Sequence, residues 1–200
     1  MHMNILIASN NKEKLRELKK MLPYTEVTLL TPNEVEINID PDESGKTPEE
    51  NARIKAEEFW AEIKEKELDI AAVVSDDTGI FVEAFLELIG EKANRWHKGT
   101  PMDRNKKLLE IMENEENRNI HYKTVLCYKD EEKCLFFEGF NHGVISTEIK
   151  EGTGYAYDYI FKLSDGRMIS ELTLDERDGM ICRAVAAREL SAYIKTKMDL

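Results

Sequence analysis

Cysteine is nearly missing from these 200 residues: only Cys127, Cys134 and Cys182 occur, and no two are spaced as CxxC. An odd count without that spacing excludes a disulfide framework and a cysteine-based zinc site, and leaves reduced thiols. Glycine and proline are sparse, and no repeat, linker or low-complexity tract interrupts the chain. The few histidines, His2, His97, His121 and His142, fall in no pattern that would give Cys182 a base, which sets thiol catalysis aside. No apolar run approaches a membrane span, and the charged and apolar regions of a signal peptide are absent, so a cytoplasmic protein without membrane contact is expected. Basic residues are in deficit, 28 against 40 acidic ones for a formal net charge of -12, which excludes a nucleic acid polymer as partner. A small phosphorylated ligand remains open, because a few local cations and a metal ion offset such a field.

What is present is enough for a sizeable core: hydrophobic residues make up 42%. One domain over residues 3–200 is expected, with Met1-His2 outside the fold as a cloning remnant would be. Met3 to Ala8 reads as a buried strand, and Ser9-Asn10-Asn11 as the turn into a helix carrying Leu15, Leu18 and Leu22 on one face. Val27 to Leu30 is a second strand, and Thr31 to Thr47 a long polar loop. From Pro48 a helix is marked by Ala52, Ala56, Phe59, Trp60 and Ile63. A strand at Ala71 to Ser75 is followed by an irregular stretch from Glu83 to Gly99 and a helix from Pro101 to Met112. His121 to Tyr128 and Cys134 to Ile145 form a hairpin around Lys129-Asp130-Glu131-Glu132, Gly152 to Phe161 is an aromatic loop, and a last helix runs from Cys182 to Lys197. This order points to an α/β class: a mixed elongated sheet flanked by helices, in two lobes with a central cleft.

Five segments could carry chemistry. In Asp76-Asp77-Thr78-Gly79, two carboxylates follow the apolar run Ala71-Ala72-Val73-Val74, and burying a carboxylate costs several kcal/mol unless a cation or proton compensates. Glycine there permits a sharp turn, so a strand-ending turn is the simpler alternative. Ser9, Asn11 and Lys14 stand where a strand ends and a helix begins, a place suited to phosphate oxygens but equally to ordinary helix capping. Glu43, in an acidic loop, and Lys55 would complete a magnesium-phosphate site with Asp77, or be a solvated acid and a surface lysine. Tyr155, Tyr157 and Asp158 could stack and hydrogen-bond a base, or form a tyrosine-rich core loop. Arg177 and Arg183, beside Cys182 near the start of the last helix, need an anion or an acidic partner such as Asp175, Glu176 or Asp178.

Taken in order, these segments resemble the inosine triphosphate pyrophosphatase family, also called the XTP/dITP diphosphatases, over nearly the whole chain. The family's Thr-x-Asn-x-x-Lys turn is matched by Ser9, Asn11 and Lys14, and its acidic residue before glycine by Glu43-Ser44-Gly45. Glu50-Asn51-Ala52-Arg53-Ile54-Lys55-Ala56 follows its Glu-Asn-Ala-x-x-Lys-Ala, and Asp76-Asp77-Thr78-Gly79-Ile80 its Asp-Asp-Ser-Gly-Leu. The later motifs depart. Phe-Gly-Tyr-Asp-Pro-x-Phe becomes Tyr155-Ala156-Tyr157-Asp158-Tyr159-Ile160-Phe161, the Ser-His-Arg triplet becomes Ile181-Cys182-Arg183, and the Ser-Ala-Arg segment survives only as Ala93-Asn94-Arg95-Trp96.

The resemblance implies hydrolysis of non-standard purine nucleoside triphosphates (ITP, dITP, XTP) to monophosphate and pyrophosphate, dependent on magnesium (Mg2+), in a homodimer. It implies Glu43 and Asp77 as metal ligands, and Asp77, Lys55 and Lys14 as catalytic residues. Ser9, Asn11, Lys14, Thr78, Tyr155, Tyr157, Asp158, Arg177, Cys182 and Arg183 would contact substrate. Because the base-reading motifs depart most, selectivity for inosine triphosphate is expected to be weaker than in the family. A pyrophosphatase for a different modified nucleotide, and a nucleotide-binding protein without catalysis, stand as alternatives.

Overall fold

Met3–Ile7, apolar except for Asn4, forms β1, and its apolar side chains divide between two cores. Met3, Ile5 and Ile7 pack with Leu18 and Leu22, on and just after α1 (Lys12–Met21), and with Ala186, Ala187, Leu190 and Ile194 of α5 (Cys182–Met198). Leu6 packs instead with Ala52, Ala56, Phe59 and Ile63 of α2 (Pro48–Glu65). Successive strand residues face opposite ways, so a strand covered by helices on both faces is apolar on both, which is why Ile5, Leu6 and Ile7 run on without alternation. β3 (Ala72–Val82) and β4 (Asn119–Lys129) repeat the division: Ala72, Val74, Leu126 and Tyr128 join the first core, and Val73, Val125 and Cys127 the second.

The computed structural model describes residues 2–85, 96–154 and 156–199. With β2 (Val27–Leu30), β5 (Cys134–Ile145) and β6 (Phe161–Leu163), six strands lie in the order β2-β1-β3-β4-β5-β6. β1 pairs in parallel with β2, Met3 opposite Val27, and with β3, Ile5 opposite Ala72. β5 and β6 run antiparallel, with Gly143 opposite Leu163, so the sheet is mixed, as expected. The chain divides into two compact units. The first holds the residues up to Asp77, Thr124–Gly139 and those from Arg183 onward; the second holds Thr78–Lys123 and Phe140–Cys182. In the second, Leu108 of α3 (Pro101–Ile111) packs with Ile80, Val82, Ile120, Tyr122 and Phe161.

Helix starts follow local chemistry. Thr47 accepts from the Glu50 amide ahead of Pro48 at α2, and Thr100 and Asp103 form a reciprocal capping box at α3. Such caps are worth about 1 kcal/mol each. A third box, Thr173 with Glu176, opens α4 (Leu174–Met180), a helix absent from the sequence reading although the Thr-x-x-Glu signature was there. β3 does not end at Ser75. It runs through Asp76, Asp77, Thr78 and Gly79 to Val82, so the expected sharp turn is not formed and Gly79 is a strand residue. His2 is exposed, but its imidazole bonds Thr28 Oγ1 at 2.7 Å. Among the described residues no helix is long and apolar enough to cross a membrane.

Candidate phosphate and metal site

The two carboxylates in the middle of β3 have different partners. Asp76 is buried; its Oδ1 accepts from Lys14 Nζ at 2.9 Å and its Oδ2 from Arg183 Nε at 3.2 Å. Arg183 also donates through Nη1 to Glu17 Oε2 at 2.6 Å, so α1, β3 and α5 are joined by one buried chain of charges. Asp77 is partly exposed, and its Oδ2 accepts from Asn51 Nδ2 at 3.3 Å. Asn51 Oδ1 in turn accepts from the Gly45 amide at 2.8 Å, which ties the acidic loop to α2. A Cβ at Gly45 would lie 2.7 Å from that same oxygen, so this approach needs glycine. One turn along α2, Lys55 Nζ donates to Glu43 Oε1 at 2.5 Å and to the Asp76 main-chain oxygen at 3.0 Å.

These contacts set the charges. Burial alone would raise the Asp76 carboxyl, but Lys14, Arg183 and Lys55 outweigh it and hold the group well below the usual range. Burial likewise raises Asp77, to about 6; Lys55 opposes this while Glu43 and Asp76 add to it. Burial would discharge Lys55, yet Asp76, Glu43 and Asp77 raise its pKa above the ordinary value and keep it an ammonium. The step is therefore short of positive charge at Asp77 and not at Asp76. Among the described residues no three His, Cys, Asp or Glu side chains are gathered as a metal centre. Glu43 and Asp77 offer a pair of hard oxygen donors, a set that fits magnesium, which takes one or two carboxylates and fills its remaining positions with phosphate and water.

Ser9 and Asn11 are engaged locally. Ser9 Oγ accepts from the Asn11 amide at 3.1 Å, and Asn11 Oδ1 from the Lys14 amide at 3.4 Å, as in ordinary capping of α1. Thr78 follows Asp77 in β3, partly exposed.

In the second unit the base-reading candidates fare differently. Arg177 is buried and its Nη1 donates to Asp158 Oδ2 at 3.0 Å, so Asp158, an acid outside the expected group of Asp175, Glu176 and Asp178, stands against it. Gly154, at φ +95°, lies against this pair: an added Cβ would sit 2.3 Å from Arg177 Nη1 and 2.5 Å from Asp158 Oδ2. Tyr157 is a core residue, with its ring among Leu108, Ile160 and Phe161 and its hydroxyl accepting from Trp96 Nε1 at 2.5 Å, so it offers no face to a base. Cys182 is buried in the same core, and its amide donates to Asn141 Oδ1 at 2.6 Å. Arg183, also expected at substrate, belongs to the first unit, where it spends two donors on Glu17 and Asp76 and reaches the site through Asp76. Tyr155 lies outside the described residues, as do Ala93, Asn94 and Arg95.

The Ham1 family model matches residues 5–193. The chain belongs to the Ham1 family. A dITP/XTP pyrophosphatase of Thermoanaerobacter sp. (strain X514) is 35% identical over 202 residues, covering 98% of this chain and 99% of that protein. One from Leptospira interrogans serovar copenhageni is 30% identical, with 98% of this chain and all of that protein covered. A solved HAM1 protein from Coxiella burnetii superposes with a TM-score of 0.88 at 26% identity, over 97% of this chain and 99% of that one. The resemblance drawn from the order of the motifs is thereby borne out.

Three residues of this candidate site were not assigned a role from sequence. Asn51 was quoted as part of a motif, but its bridge from Gly45 to Asp77 depends on a loop and a strand distant in sequence. Glu17 gave no signal, being one of several charged residues in α1. Asp76 was recognised as one of a pair, and only the placement of Lys14 and Arg183 shows which of the two is the neutralised one.

Proposed function

We propose that this protein hydrolyses nucleoside triphosphates carrying deaminated purines, such as inosine and xanthosine, to the monophosphate and pyrophosphate. The observation that carries the reading is the gathering of Lys14, Glu43, Asn51, Lys55 and Asp77 around one step of β3 in a Ham1-family chain. The names of its relatives, both dITP/XTP pyrophosphatases, point the same way. In this reading Asp77 takes the proton of a water molecule that attacks the α-phosphorus; the bond to the bridging oxygen breaks, and pyrophosphate leaves with its electrons. Lys14 and Lys55 stabilise the charge that collects on the leaving group, worth roughly 3 kcal/mol for a well-placed donor. Arg183 positions Lys14 through Asp76 and is not itself at substrate. Glu43 and Asp77 are the residues that would hold magnesium, which supplies positive charge against the phosphate oxygens.

A specific observation supports a second reading, a different modified base as the preferred one: Arg177 and Asp158 are spent on each other and Tyr157 is in the core. Both readings are separated by a panel of triphosphates incubated with magnesium. Pyrophosphate release from ITP, dITP and XTP faster than from ATP is the expected result, with a modest preference of about tenfold to a hundredfold for a single base contact. Release of orthophosphate would move the attack away from the α-phosphorus, and binding without turnover would make the protein a nucleotide-binding one. The proposal includes a homodimer, read by sedimentation.

A further inference from the structure

We propose that Cys127 and Cys134 are a disulfide-forming modification site, closed by a hydroperoxide and reopened by a thiol reductant. The two sulfurs stand 3.2 Å apart, on neighbouring strands β4 and β5. A disulfide needs about 2.05 Å, so closure asks each side chain for a shift of well under about 1 Å. The connection between the strands is tightly held. The Asp130 amide donates to the Lys133 oxygen at 3.0 Å, and Asp130 Oδ1 accepts from the Glu132 and Lys133 amides at 2.9 and 2.8 Å. Both cysteines touch one core cluster beside Phe59 and Phe136, so they share a face of the sheet. Cys182 belongs to a different cluster and has no part in this.

Exposure sets the order of events. Cys127 is fully buried and Cys134 is partly exposed, so the oxidant reaches Cys134 first. Burial and the neighbouring Cys134 sulfur also push the Cys127 thiol up, which keeps it protonated until its partner is activated. Hydrogen peroxide transfers one oxygen to the Cys134 thiolate, giving the sulfenic acid and hydroxide. The Cys127 sulfur then attacks the Cys134 sulfur, the S–O bond breaks, and water leaves; in sum two thiols and one peroxide give one disulfide and two waters. This inference does not depend on the nucleotide reading.

The experiment is mass spectrometry of the intact wild-type protein treated with dilute hydrogen peroxide, then denatured and alkylated. One alkyl group, on Cys182, with a peptide pair linked through Cys127 and Cys134, is expected, and dithiothreitol should restore three alkylated cysteines. Cys127→Ser should leave Cys134 to oxidise further to the sulfinic acid, and Cys134→Ser should leave Cys127 reduced at the same peroxide dose. The wild-type measurement stands alone if either variant fails to fold. Alkylation of both Cys127 and Cys134 after peroxide would overturn the proposal, as would Cys134 sulfinic acid beside a free Cys127 thiol in the wild type, or a link between two chains.

Discussion

Asp76 and Asp77 are chemically identical neighbours that the fold treats in opposite ways. At Asp76 the charges of Lys14, Arg183 and Lys55 outweigh burial and the group stays ionised; at Asp77 burial outweighs Lys55, Glu43 and Asp76 add to it, and the carboxyl is raised to about 6. Asp77→Asn removes a charge that repels two others, so without divalent cation the variant should melt at a higher temperature than wild type, while kcat falls about 100-fold or more with loss of the base. Added magnesium should raise the wild-type Tm, by about 2.7 kcal/mol of stability at a hundred times Kd, and leave Asp77→Asn nearly unmoved. Scanning calorimetry with and without magnesium reads both effects. Gly154 is another residue whose identity is dictated. At φ +95°, with Arg177 and Asp158 within 2.5 Å of an added Cβ, Gly154→Ala combines backbone strain with disruption of a buried ion pair. A loss of roughly 3 kcal/mol or more in urea denaturation is expected.

Among the elements, the β4–β5 hairpin is closed by a single acid. Asp130 caps its own turn through Oδ1 and pairs with Lys197 of α5 through Oδ2 at 2.5 Å. Burial would raise its pKa, but Lys197 and the Lys133 and Glu132 amides outweigh that and lower it from the ordinary value of 3.8. A lowered carboxylate stabilises the fold above its unfolded pKa and loses that contribution as pH falls through its folded one. Wild type should therefore lose Tm faster than Asp130→Asn as pH is taken from about 5 to below about 3, and equal slopes for the two would remove Asp130 from the account. α4 and β3 show how an element escapes a reading by pattern. α4 spans only Leu174–Met180 and exposes Leu174 and Met180, so no apolar stripe marks it. β3 carries two acids and a glycine that read as an end, yet strand pairing continues past them because Lys14, Arg183 and Lys55 compensate Asp76.

At the scale of the molecule, Arg183 ties three elements at once. It joins Glu17 of α1 and Asp76 of β3 to the first turn of α5, with all three side chains nearly buried. Arg183→Met leaves two carboxylates without their guanidinium, a change that costs about 3–5 kcal/mol when one partner of a buried pair is removed. If the protein still folds at low temperature, kcat should fall with little change in KM, because Lys14 loses the partner that Arg183 holds in place; an altered KM alone would place Arg183 at substrate after all. The sequence by itself determined the strands and helices of the first unit, because apolar runs and periodic stripes state which faces must leave water, and it determined the family, through Ser9 to Lys14, Glu43 to Lys55 and Asp76 to Ile80 in order. Tertiary structure alone decided which of two adjacent carboxylates is neutralised, that Arg177 answers Asp158, and that Arg183 pairs with Glu17 and Asp76. The reason is electrostatic: a charge in a protein is defined by what stands within a few ångströms of it, and for Asp76 those groups come from residues 14, 55 and 183.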